Sequence, residues 1–264
     1  MRTEPLASLR RVWRDHLRGL WIWAVALAVI TVFYLAFWPM MGEEMAAAIE
    51  GMPEGLMVAM GYDRIATAAG YLEAVIYGLL GPVMLLVYGI GLGGRLIAGQ
   101  EEDGTLELEL TAPASRLRIY VERLAAAWLL VGALVVATTV AVLASGPLFD
   151  LGIRPLYVLA ASLGLLLLVG GFTTLAFAIG AGGARRSAAI GAAAGLAVLA
   201  YVFRGVANAA GVELLGALSP FAWMLDPEPL VHGFAARGLA LLAGISLIAA
   251  PLGAWAFMRR DLMT

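Results

Sequence analysis

Six apolar runs without a charged residue or histidine divide the chain: 20–38, 74–94, 124–147, 156–183, 187–203 and 238–258. Each approaches or exceeds the roughly 20 residues that a helix needs to cross a bilayer core. The pattern predicts an all-α, polytopic membrane protein with six transmembrane helices. The run at 187–203 is the shortest, with 17 residues; such a helix either tilts little or continues past Arg204. No second soluble domain is needed, so residues 1–264 read as a single transmembrane domain.

Ahead of the first run, Leu6, Leu9, Trp13, Leu17 and Leu20 recur at helical spacing, with Arg10, Arg11, Arg14 and Arg18 on the other side. This predicts an amphipathic interfacial helix over about residues 1–19 that turns into the first span. It either anchors the chain and sets its topology, or also touches a partner. His16 reads as a solvated residue of this helix. With an even number of spans both termini share one side. That side holds 13 of the 17 arginines, which by the positive-inside rule makes the termini and residues 95–123 cytoplasmic.

Composition narrows the function. Apolar residues make up 62% of the chain and charged ones 14%, far from a soluble average. Net charge is −2, which leaves no basic footprint for nucleic acid. There is no cysteine, so disulfides and thiolate metal sites are excluded. There is no lysine either, so the chain cannot carry a Walker-type phosphate loop, and ATP-driven work must come from a partner. The uncharged spans argue against ion-coupled transport. No serine–histidine pair can be placed in one span for intramembrane hydrolysis. The arginine-rich start followed by a 19-residue run is read as an uncleaved first span rather than a secretory signal.

Two further clusters read as packing. Met40, Met41, Met45, Met52, Met57 and Met60 crowd the connection after the first span, with no cysteine or histidine to make a soft-metal site. Gly164, Gly170, Gly171, Gly180, Gly191 and Gly195 enrich the fourth and fifth runs. "GAAAG" at 191–195 is a small-xxx-small face suited to close helix contact, within one chain or between two.

The polar stretch "GQEEDGTLELELTAPASR" at 99–116 separates the second and third runs. Gly99 and Gly104 permit sharp turns, and Asp103 and Thr105 are competent helix caps. Leu106 and Leu110 fall on one helical face, although the Leu–Glu alternation equally fits a strand; a lone strand has no partner, so a short helix is preferred. Pro113 breaks it and Ser115 caps the next helix, which runs from Arg116 into the third span. Its roughly 30 residues extend about 45 Å, longer than the hydrocarbon core, so its start protrudes. The three consecutive acids lack the spacing of an EF-hand. On charge alone the stretch reads as a solvated connector.

At these residues the chain resembles the permeases of six-helix ABC-type exporters, the "ABC-two" or type V class. Glu101, Glu102, Gly104, Thr105, Leu106, Glu107, Pro113, Ser115 and Arg116 are similar to that family's signature, position by position. Arg123 stands where a lysine is common, and Glu109 departs from the usual leucine run. "LSPFAWMLDP" at 218–227 and "FMRRDL" at 257–262 are similar to stretches before and after the last span. The resemblance implies that residues 101–116, Asp103 included, form a coupling helix that docks on a separate P-loop ATPase. Arg10, Arg11 and Arg14 would make a second contact, and Arg185 and Arg186 a third. It implies two permease chains, as homodimer or heterodimer, with two ATPases that hold the ATP and Mg²⁺; this chain holds no cofactor or metal and is no enzyme itself. It implies a bacterial or archaeal cytoplasmic (inner) membrane. The expected activity is export of a lipophilic or amphipathic substrate, whose contact residues stay unassigned. The alternative is a non-transporting membrane subunit that passes ATPase-driven motion to an outer partner.

Overall fold

The computed structural model describes residues 7–40, 67–104 and 115–260. Among them all regular structure is helical, and six helices are long and apolar enough to cross a membrane. The methionine-rich connection after Met40 and residues 105–114 lie outside the described residues.

Helix α1 (Ala7–Leu35) runs 29 residues without interruption. The expected interfacial helix and the first span are therefore one element, with no turn between them. The segment holds no proline, and a single glycine, Gly19, costs a helix only about 1 kcal/mol. Val12, Leu20, Leu27 and Leu35 are buried at intervals of two turns and form the seam against α3. Arg10, Arg11, Arg14 and Arg18 stay exposed.

Helix α2 (Ala68–Glu102) is opened by Thr67, whose hydroxyl accepts from the Gly70 amide at 3.0 Å. It contains two π-helical stretches, Glu73–Leu80 and Arg95–Gly99. Helix α3 (Arg116–Leu148) starts where the sequence places it, with the Ser115 hydroxyl accepting from the Arg118 amide at 3.3 Å. Helix α4 (Pro155–Ala181) begins on a proline, which has no amide to satisfy, and stops two residues before the end of its apolar run. Gly183 turns the chain there with φ +104°, a conformation costly for any other residue. Helix α5 (Arg186–Ala210) does continue past Arg204 and ends on left-handed Gly211. Three short helices follow: α6 (Glu213–Ala217), α7 (Pro220–Leu225) and α8 (Pro229–His232). Helix α9 (Ala236–Arg259) closes the bundle.

Helix α4 is the hub, packed on α2, α3, α5 and α9, while α1 lies on α3. Its small residues make this possible. Gly170 receives the Trp128 ring of α3, Gly164 receives Met224 of α7, and Gly171 faces Ile245 of α9. Gly93 of α2 lies so near Thr173 that a Cβ would overlap its carbonyl oxygen. These contacts replace a hydrophobic driving force that lipid surroundings cannot supply. The small-xxx-small face of α5 behaves differently. Ala189, Ala193, Ala197 and Ala200 turn inward and are buried, whereas Gly191 and Gly195 look outward with nothing within 4 Å of an added Cβ.

Several buried polar side chains bond to one another or to backbone. Ser162 Oγ of α4 lies 2.8 Å from both Tyr77 Oη of α2 and Thr139 Oγ1 of α3. Thr173 and Thr174 donate back to the carbonyls of Val169 and Gly170. Large apolar side chains such as Val29, Val136 and Leu247 face outward, as expected of a bundle solvated by lipid.

Candidate functional site

The acidic stretch leaves α2 and re-enters the bundle at α3, and both of its ends are tied down. On the outgoing side, the Glu101 carboxylate accepts from two nitrogens of Arg260, Nη2 at 2.7 Å and Nη1 at 3.2 Å. On the returning side, Arg116 Nη1 donates to the Arg260 carbonyl at 2.7 Å. Arg260 Nη1 also lies 3.2 Å from the Ala181 carbonyl at the end of α4. Glu102 turns the other way, and its Oε1 accepts from the Arg186 amide at 2.9 Å in the first turn of α5. A carboxylate there meets an unsatisfied amide and the positive end of the helix dipole. Asp103 and Gly104 are exposed, and Gly104 has φ +68°.

Of the residues singled out by sequence, Glu101, Glu102, Arg116 and Arg186 are thus brought together. Asp103, Gly104 and Ser115 adjoin them, and Arg185 is exposed at the start of α5. Thr105, Leu106, Glu107 and Pro113 lie outside the described residues. Arg10, Arg11 and Arg14 are exposed near the start of α1. The Tyr71 hydroxyl at the start of α2 donates to the Tyr34 carbonyl at the end of α1 (2.9 Å), so the start of α1 lies at the same end of the bundle as Glu101. His16 is half-buried, and its Nδ1 lies 2.8 Å from the Val12 carbonyl; only a protonated nitrogen can bond there.

Two residues escaped the sequence reading. Arg260 was visible only as part of a closing motif. Arg123 was noted in the sequence only as standing where a lysine is common; it is 1% exposed and donates through Nη1 to the Leu96 carbonyl at 2.7 Å. Leu96 belongs to the second π-helical stretch, where altered backbone spacing leaves carbonyls open to side-chain donors. Nearby, Arg118 pairs with Glu122 at 2.7 Å, and the Tyr120 hydroxyl bonds the Ala250 carbonyl of α9 at 2.8 Å. The signal that could have found Arg123 is its period: Tyr120, Arg123, Ala127 and Leu130 all fall on the buried stripe of α3.

At the opposite end, Ser219 anchors the segment before the last span. Its hydroxyl donates to the Ala200 carbonyl of α5 at 2.6 Å and accepts from the Ala222 amide at 3.4 Å, capping α7. Phe221 of α7 packs edge-on to Tyr201 of α5, and Arg204 pairs with Asp226 at 2.9 Å. The "SPF…DP" motif is therefore a fastening between α5 and the α7 segment.

Between α2 and α5 runs an apolar groove of about 350 Å³. Val83, Leu86 and Ile90 line one wall, and Ile190, Ala194 and Tyr201 the other. The outward glycines of α5 lie on the same helix.

No curated protein matches the chain. A family model described as "ABC-2 family transporter protein" matches residues 6–262, and with a six-helix bundle and no phosphate loop of its own, the chain belongs to that family as the transmembrane subunit of an ABC transporter.

Proposed function

We propose that this subunit is an exporter permease driven from its arginine-rich end. The observation that carries the reading is the double anchorage of the acidic stretch, whose outgoing and returning ends are both held through Arg260. A loop that only connected two spans would need no such fastening. Residues 101–116 would form the coupling element on which a separate P-loop ATPase docks, with Arg10, Arg11, Arg14, Arg185 and Arg186 as flanking contacts. Two ATPase copies would bind ATP and Mg²⁺. That end is cytoplasmic by its arginine excess, in a bacterial or archaeal inner membrane.

Two permease chains would meet along α2 and α5. The outward Gly191 and Gly195 permit close approach, and the apolar groove beside them would open onto the path of a lipophilic or amphipathic substrate. Copurification in mild detergent tests the first step: a P-loop ATPase should accompany the chain, and its consistent absence would count against coupling. Reconstitution tests the second. A panel of lipophilic compounds should contain members that stimulate ATP hydrolysis and move across the bilayer. ATP hydrolysis without movement of any of them would favour a non-transporting subunit that drives an outer partner.

A further inference from the structure

Arg260 joins four parts of the chain that are distant in sequence. Its guanidinium holds Glu101, 159 positions away, at two points, and reaches the carbonyl of Ala181 at the end of α4. Its own carbonyl accepts from Arg116 at the start of α3. The turn after α4 is shaped around it. Gly183 has φ +104°, and a Cβ there would stand 2.9 Å from the guanidinium carbon. The neighbouring Glu102–Arg186 bond adds the start of α5 to the same assembly, and the Arg186 side chain lies over Gly99. Glu101 and Glu102, the acids that the resemblance assigns to partner docking, thus have their carboxylates directed to groups of their own chain.

We propose that Arg260 is a positioning residue for energy coupling: by fastening Glu101 and Arg116 to each other and to the Ala181 carbonyl, it makes the ends of α2, α3, α4 and α9 move as one body when the acidic stretch is pushed. The inference rests on the coupling reading above. The physical argument is one of stiffness. Without this junction the stretch would be attached to the bundle through the backbone of α2 and α3 and the single Glu102–Arg186 bond, and displacement could be absorbed by bending those two helix ends. The planar guanidinium suits the task because it meets a carboxylate at two points and keeps a donor for a third acceptor. Lysine offers a single ammonium on a flexible stem, and glutamine reaches neither the distance nor the charge.

The test uses the complete permease–ATPase complex in proteoliposomes. Arg260→Gln should still assemble with its ATPase in wild-type proportion and leave the KM for ATP unchanged, while kcat falls at least about fivefold, the lower range of coupling effects. Arg260→Lys should recover part of the loss. Glu101→Gln, which keeps the shape of the side chain, should resemble Arg260→Gln, and the double variant should be no worse than either single one. An Arg260→Gln complex that hydrolyses ATP as fast as wild type, or losses that multiply in the double variant, would overturn the positioning role. If Arg260→Gln does not assemble, Glu101→Gln and Arg260→Lys decide by the same criteria. Failure of any ATPase to accompany the wild-type chain would instead remove the coupling reading beneath it.

Discussion

Arg123 and Leu96 meet inside the bundle: an arginine that is 1% exposed donates through Nη1 to a π-helical carbonyl at 2.7 Å. The contact links the start of α3 to the end of α2, one helical turn from the residues that lead into the acidic stretch. Removing a donor from a buried carbonyl costs about 1–3 kcal/mol. Arg123→Ala should therefore lower the folding stability in mild detergent by that order, seen as a fall in unfolding temperature. Arg123→Lys keeps a donor and should retain most of the stability. Equal damage from both would show that charge-donor chemistry is not what the site needs.

Ser219 is held between two backbones, donating to Ala200 and accepting from Ala222. Ser219→Ala deletes a cap and leaves the Ala200 carbonyl without this donor, a combined loss of about 1–2 kcal/mol. Proteolysis in the segment between α5 and α9 should accelerate before global unfolding does. Unchanged cleavage there would mean that the hydroxyl fastens nothing.

Glycines on the two sides of the bundle should respond in opposite ways. Gly93→Val drives a side chain into the Thr173 backbone and should destabilise the fold by about 1–3 kcal/mol. Gly195→Val meets open space and should change the stability of the isolated chain by less than about 0.5 kcal/mol. Should a second permease chain cover this face, the same Gly195→Val change would weaken the dimer, measurable by native mass spectrometry. An unaltered dimer would place the chain–chain contact elsewhere.

The groove between α2 and α5 is tested by filling it. Ala194→Trp puts an indole into a space of about 350 Å³ and should reduce transport of a lipophilic dye about tenfold, equivalent to about 1.4 kcal/mol. Dye transport at the wild-type rate would remove the groove from the substrate path.

The Glu101–Arg260 pair contributes little to stability by itself. Both side chains are partly exposed, 35% and 25%, and ion pairs at such positions are worth about 0–1 kcal/mol. A normal unfolding temperature for Glu101→Gln, together with a reduced kcat in the complex, would separate positioning from stability.

The six spans, the helical class and the Ser115 cap were legible in the amino-acid order, and the extension of the fifth helix past Arg204 was one of two alternatives it left open. Each depends on local quantities: the length of an apolar run against the thickness of a bilayer, or a cap three residues from the amide it accepts from. The fate of the acidic stretch was not local. Its leucines and Pro113 lie outside the described residues, but Glu101 is held by an arginine 159 positions away and Glu102 by the amide of Arg186. Whether Arg123 faced solvent or a π-helical carbonyl, and whether the glycines of α5 turned inward or outward, depended on which faces α4 had already taken. Charge, periodicity and span length are written along one chain. The pairing of buried donors with acceptors is decided only when separate helices come into contact, because each such bond needs a second surface to exist.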